Sequence, residues 1–139
     1  MPAEFEVSIF TAEAIFYQGP CVSLIVPTVD GQFGVMAHHI NSVSAVIPGA
    51  LRYTLPGKPR QTAFVSSGVI KIEDNRVLIL VDAAERPEEI DLNRARRAQE
   101  AARERLMHRQ SKQEFQMNRM YLARAVNRMR VKKQYRRND

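Results

Sequence analysis

Few side chains in this sequence have both the type and the spacing to do chemistry, and the clearest group lies in "EEIDLNRARR", Glu88 to Arg97. A carboxylate, Asp91, stands three residues before Arg94, and more arginines follow. Two readings fit. Asp is a residue that caps a helix, accepting from the free N–H groups of the first turn, where the helix dipole also favours a negative charge. The same pair can instead be part of a place where a ligand or another part of the chain is held, a latch rather than a cap alone. The other candidate chemistries are weak. No glycine-rich phosphate loop of either common type is present. One cysteine and three histidines cannot make a Cys/His metal cluster. His38 and His39 are adjacent, so on a strand they would face opposite ways, and they read as a surface loop pair. Cys21 lies among apolar residues and reads as a small buried hydrophobe. No Ser-His-Asp arrangement is suggested, and catalysis by this chain alone is not expected.

The elements that position Asp91 and Arg94 differ on their two sides. From Met1 to Pro87 there are 6 Lys and Arg against 8 Asp and Glu; from Glu88 to Asp139 there are 15 against 7. The first part is near neutral at −2, and the second carries +8, so an acidic partner should meet the second part. The first part alternates. In "EFEVSIF", Phe5, Val7 and Ile9 alternate with Glu4, Glu6 and Ser8, as in a half-buried strand. "CVSLIVP" is a second strand, ended by Pro27. "VDGQFGVM" holds a turn at Asp30-Gly31. "LRYTL" and "QTAFV" flank the turn-rich "PGKP", and "GVIKIE" with "RVLILV" form a hairpin tipped by Asp74-Asn75. Short strands with turns about every ten residues predict an antiparallel sandwich or barrel.

The second part has no Gly or Pro after Pro87. Leu92, Ala95, Ala98 or Gln99, Ala102 and Leu106 fall at helical spacing, as do Phe115, Leu122, Val126 and Met129. Between them lies "HRQSKQEF", with Ser111 as a cap. Two helices with a short connection predict an antiparallel hairpin. Its alanine stripe buries little area, at about 0.8 kcal/mol per CH₂, so this appendage should move or open without unfolding the sandwich. Met117, Met120 and Met129 read as helix packing that can adapt to different neighbours. The expected boundaries are a β-sandwich over 1–86 and a helical hairpin over 87–139. No apolar run reaches membrane-span length, the N-terminus does not read as a signal peptide, and the single cysteine suits a reducing compartment.

A β-sandwich followed by an Ala/Arg-rich hairpin opening "AAERPEEIDLNRARRAQEAARERL" resembles the epsilon subunit of bacterial F-type ATP synthases, over essentially the whole chain. That family shows "GELGIxPGHAPL" and later "SGGxLEV"; here stand "GQFGVMAHHINSV" (Gly31 to Val43) and "SSGVIKIE" (Ser66 to Glu73). The family's junction is matched by Ala84, Arg86, Ile90, Asp91, Arg94 and Ala95. The sequence departs where the Pro-Gly-His turn is Ala37-His38-His39, where Asn41 replaces the usual Pro, and where the double Gly is Ser67-Gly68.

The resemblance implies a non-catalytic rotor subunit. Its sandwich would pack on the gamma subunit and the c-ring, with Gln32, His38 and His39 among the contacts. Its hairpin would permit ATP hydrolysis when folded and block it when extended into the alpha/beta hexamer. Arg119, Arg124, Arg128, Arg130, Lys132 and Lys133 would then meet an acidic segment of the beta subunits. The protein would sit peripherally on the cytoplasmic face of the bacterial membrane, touching it only through the c-ring. No cofactor is required, but some relatives bind one regulatory ATP on the folded hairpin. Matching their pattern gives Glu85, Ile90, Asp91, Arg94, Arg124 and Arg128. One further arginine of that pattern is Ala101 here, with Arg97 and Arg103 as neighbours. The rival reading is a nucleic-acid-binding module, whose binding would fall steeply with salt. Against it, Glu100, Glu104 and Glu114 interrupt the arginines, and Phe115, Tyr121 and Tyr135 are too few for a stacking platform. No nucleic acid partner is therefore expected.

Overall fold

The computed structural model describes residues 2–107 and 111–138. The chain divides into two compact units, Met1–Arg86 and Pro87–Asp139.

The first unit contains ten strands: β1 (Phe5–Phe10), β2 (Ile15–Cys21), β3 (Ser23–Thr28), β4 (Gly31–Met36), β5 (Ser42–Val46), β6 (Gly49–Thr54), β7 (Gln61–Val65), β8 (Gly68–Glu73), β9 (Arg76–Val81) and β10 (Ala84–Glu85). They pair in the order β10-β7-β6-β3-β5-β8-β9-β1-β2, with β4 also on β3. The pairing turns a corner at β3. Ser23 to Ile25 pair with β6, whereas only Thr28 reaches β5, opposite Val46. The sheet therefore folds over into a sandwich, and its alternating residues meet inside it: Phe5, Val7 and Ile9 from β1, Leu24 and Val26 from β3, Leu51 from β6, Ile70 and Ile72 from β8, Val77 and Ile79 from β9. Fully burying each such side chain contributes about 1.5–3 kcal/mol. All but one of the pairings are antiparallel; β1 runs parallel to β9, with Ile9 opposite Ile79.

Several sequence expectations shift. Pro27 does not end a strand. It lies inside β3, opposite Gln32 of β4, beyond Ile25, where pairing with β6 stops. No β6 partner is there to need the missing N–H. The turn before β4 is Val29–Asp30, with Gly31 (φ 107°) opening the strand. The strands β2, β5 and β10 were not expected. β2 carries Gly19-Pro20, which weaken a strand signal, and it is an edge strand paired with β1 alone. The Asp74-Asn75 tip is as expected, both residues having positive φ (52° and 64°), the signature of a tight hairpin turn.

One departure from the resembled pattern carries a conformational cost, and one retained glycine acquires a reason. His38, where the pattern has Gly, has φ 64°, in the left-handed region that Gly enters freely and His enters at a cost. The backbone N–H of His38 donates to Asn75 Oδ1 at 2.6 Å, Asp74 N–H donates to Asn41 Oδ1 at 3.1 Å, and Asn75 Nδ2 donates to the Glu4 carbonyl at 3.1 Å. The hairpin tip thus binds both the 37–41 loop and the start of the chain. Gly68, the retained half of the double Gly, is needed for space rather than angle. A Cβ there would collide with the Leu80 carbonyl oxygen and lie 2.7 Å from Val81 Cα. Cys21 is buried, as expected, and burial pushes its thiol up from the ordinary value, against the lowering effect of hydrogen bonds with backbone groups.

The second unit opens with a 3₁₀ turn, Pro87–Glu89, followed by α1 (Leu92–Leu106) and α2 (Lys112–Asn138). The helices pack along one another, and Ala95, Ala102, Ala125 and Val131 are buried. Lys132 Nζ donates to the Pro87 carbonyl at 3.0 Å, tying α2 to the 3₁₀ turn. Ser111 caps α2, accepting from Glu114 N–H at 3.1 Å. The connection is shorter than "HRQSKQEF", because Lys112 to Phe115 are already helical; His108 to Gln110 lie outside the described residues. Phe115 is 42 % exposed and does not belong to the buried stripe. Gln99, not Ala98, shares the half-buried side of α1, while Met120 and Met129 are half-buried and Met117 is exposed. Among the described residues no helix is long and apolar enough to cross a membrane.

Candidate functional site

Asp91 caps α1. Its extended backbone (φ −85°, ψ 108°) lets its carboxylate Oδ1 accept from Arg94 N–H at 3.1 Å, while its carbonyl accepts from Ala95 N–H at 3.0 Å. The Arg94 N–H bond is the main reason that its carboxyl sits below the usual value, helped by the Asn93 N–H and by the charges of Arg97 and Arg94. A depressed carboxyl stabilises the fold above its unfolded value, about 3.9, and that contribution is lost as pH falls through the lower folded value. Asp91→Asn keeps a capping oxygen and should leave the Arg94 amide protected from exchange, with a protection factor that no longer follows carboxylate titration. Asp91→Ala should speed that exchange several-fold at neutral pH, and the difference from the native chain should shrink in acid.

Beyond the cap, α1 and α2 enclose a groove of about 360 Å³. From α1 it is lined by Arg94, Ala98, Ala101 and Arg105, and from α2 by Tyr121, Arg124, Ala125 and Arg128. The spacing explains the set. Steps of four, three and four residues keep 94, 98, 101 and 105 on one helical face, and 121, 124, 125 and 128 do the same on α2. The volume is within the range of small-molecule sites, about 300–1,000 Å³. Four arginines and three alanines share this lining. The Arg124 guanidinium carbon lies 6.0 Å from the centre of the Tyr121 ring. Such a groove suits a polyanion that can accept several paired N–H donors.

Of the six residues matched to a nucleotide pattern, Arg94, Arg124 and Arg128 line this groove. Asp91 is exposed at its cap, and Ile90 is buried before α1. Glu85 belongs to the other unit, half-buried in β10. Ala101 is in the groove wall, so the position lacking an arginine is part of the site. Arg97 and Arg103 are exposed and line no part of it. Arg105 and Tyr121 were missed by sequence reasoning; the signal was their place on the same helical faces as Arg94 and Arg128. Among the basic residues assigned to a partner, Arg119, Arg130 and Lys133 are exposed, Arg124 and Arg128 are half-buried, and Lys132 makes its bond to Pro87.

In the first unit, Gln32 is exposed on β4 and His38 on the following loop. His39 is half-buried, its ring 5.2 Å from that of Phe33. Large apolar side chains are exposed in the same segment: Met36 at 64 %, Ile40 at 78 % and Val43 at 68 %. Among the described residues no group of three or more His, Cys, Asp or Glu is placed to hold a metal ion.

Comparison with known proteins places both units. The family model described as "ATP synthase, Delta/Epsilon chain, beta-sandwich domain" matches residues 4–87, and "ATP synthase, Delta/Epsilon chain, long alpha-helix domain" matches residues 88–133. The chain is 37 % identical over 137 residues to the ATP synthase epsilon chain of Caldicellulosiruptor saccharolyticus, covering 99 % of each. It is 41 % identical over 127 residues to that of Ruminiclostridium cellulolyticum, covering 91 % of this chain and 94 % of the relative. A chain in the mitochondrial ATP synthase of Euglena gracilis shares the fold with a TM-score of 0.78 at 23 % identity, over 91 % of this chain and 80 % of that one. With one family model on the sandwich, a second on the helices and close relatives along nearly its whole length, the chain belongs to the ATP synthase delta/epsilon chain family.

Proposed function

We propose that this chain is the non-catalytic central-stalk subunit of a bacterial F-type ATP synthase, coupling proton flow to ATP synthesis and restraining ATP hydrolysis through its C-terminal helices. The observation that carries the reading is the division of one family-matched chain into a sandwich with its own core and an arginine-rich helical pair with little core. The sandwich is the base that docks on the gamma subunit and the c-ring. The exposed Met36, Ile40 and Val43, in the same stretch of chain as Gln32 and His38, support this, because exposed apolar side chains interleaved with polar ones suit a docking face. Held there, the protein is peripheral at the cytoplasmic face and meets the membrane only through the c-ring.

The helical unit is the regulator. Three buried alanines and one buried valine give α1 and α2 a weak interface, so a change of surroundings can alter their arrangement without disturbing the sandwich. Arg119, Arg130 and Lys133, with Arg124 and Arg128, suit an acidic segment of the beta subunits. The groove between the helices takes a regulatory ATP, its phosphates between the arginines of α1 and α2. A ligand bound only by the paired helices stabilises them by about 2.7 kcal/mol at a hundred times its Kd, a large increment for an interface built on alanine. The test uses the reconstituted synthase with the full chain or with a chain ending at Pro87. Synthesis driven by a proton gradient should survive truncation, while the rate of ATP hydrolysis should change. Loss of synthesis with the truncated chain, or unchanged hydrolysis, would overturn the division into base and regulator.

A further inference from the structure

Resting on the ATP reading above, we propose that Arg105 supplies the phosphate contact that Ala101 cannot, and that it makes the groove prefer a nucleoside triphosphate over the diphosphate. Three observations carry this. First, Arg105 lines the same groove as Arg94, Arg124 and Arg128, one helical turn beyond Ala101. Second, helical side chains lean toward the helix N-terminus and cover the turn before their own Cα. A side chain at 105 that leans this way covers the turn that carries Ala101, so it can reach groove space that Ala101 leaves unfilled. Third, Arg105 is exposed, and among the described residues it has no carboxylate partner, so its charge is available to an anion. Neither neighbour can substitute. Arg103 is two residues from 101 and from 105, roughly half a turn around the helix from the groove. Arg97 leans away from Ala101, toward the start of α1.

The direction of the groove decides which phosphate is involved. Arg105 and Tyr121 lie at the end nearer the connection between the helices, while Arg94 and Arg128 lie at the end where α1 begins. The base is assigned to the start of α1, where Ile90 is apolar and the Asp91 carboxylate can accept from an amino group, so the phosphates run from Arg94 toward Arg105. The terminal phosphate is the one that Arg105 meets, and a diphosphate stops short of it.

Isothermal titration of the full chain with MgATP and MgADP tests this. Arg105→Gln should lower ATP affinity about tenfold or more and change ADP affinity much less, so that the preference for ATP narrows. Arg103→Gln removes the same charge outside the groove and should leave both affinities as they were. Ala101→Arg in the Arg105→Gln background should restore ATP affinity. Far-UV circular dichroism should be unaltered, since Gln is as good a helix former as Arg. Unchanged ATP affinity in Arg105→Gln, or an equal loss in Arg103→Gln, would overturn the role of Arg105 while leaving the ATP site standing. Absence of heat from the native chain with millimolar MgATP would overturn the ATP site itself, and the role of Arg105 with it.

Discussion

On the proposed ATP reading of the groove, glutamine at both Arg124 and Arg128 should weaken ATP binding to the full chain by about a hundredfold or more. The two residues are four apart on α2, half-buried, and face the same groove as Arg94. Each charge-assisted hydrogen bond contributes about 1.5–3 kcal/mol, and each 1.4 kcal/mol is tenfold in affinity. Because both would hold one phosphate chain, their effects should not simply add, and the single variants should each lose more than half of the double variant's free energy. Titration calorimetry on the three variants measures this, with circular dichroism confirming that α2 persists. Native-like affinity in the double variant would remove the groove from any account of nucleotide binding.

Gly68→Ala should destabilise the sandwich by about 3 kcal/mol, the upper end of what overpacking costs. The reason is the neighbour. A flexible side chain could move aside, but the atoms a methyl group would strike are the backbone of Leu80 and Val81 in the paired strand. At about 4–8 °C per kcal/mol for a domain of this size, the melting transition of the sandwich should fall by roughly 12–24 °C in scanning calorimetry. Gly34→Ala is the control. Nothing lies within 4 Å of a Cβ there, so the same chemical change should shift the transition by only a few degrees. Equal shifts for the two would mean that chain flexibility, not the close approach of β9, sets the cost.

Much of this was legible in the sequence because it is local. Alternation found β1, β8 and β9; the Asp74-Asn75 pair found the hairpin between the last two; Asp91 and Ser111 marked the helix starts. What escaped depends on neighbours that a sequence does not display. β2 is held by β1 despite Gly19-Pro20, and Pro27 is tolerated because β6 stops pairing at Ile25. The groove was half legible. Arg94, Arg124 and Arg128 were matched by resemblance, but Arg105 enters only when the two helices are laid side by side and the turn beyond Ala101 is seen to share their face.

The parallel pairing of β1 with β9 has a consequence for the birth of the protein. Ile9 and Ile79 sit opposite one another although seventy positions separate them, and Asn75 ties down Glu4, the residue just before β1. On a ribosome adding about 5–20 residues per second, β1 waits roughly 4–14 s for the strand that lies beside it. During that interval β1 has only β2 as a hydrogen-bonded neighbour, and its other edge stays open. The helices, whose pairing spans a single short connection, need no such delay once they emerge. The sandwich is therefore the slow unit during synthesis, and the helical pair is the quick one. The nascent chain is most in need of a chaperone before residue 81 has left the tunnel, not after.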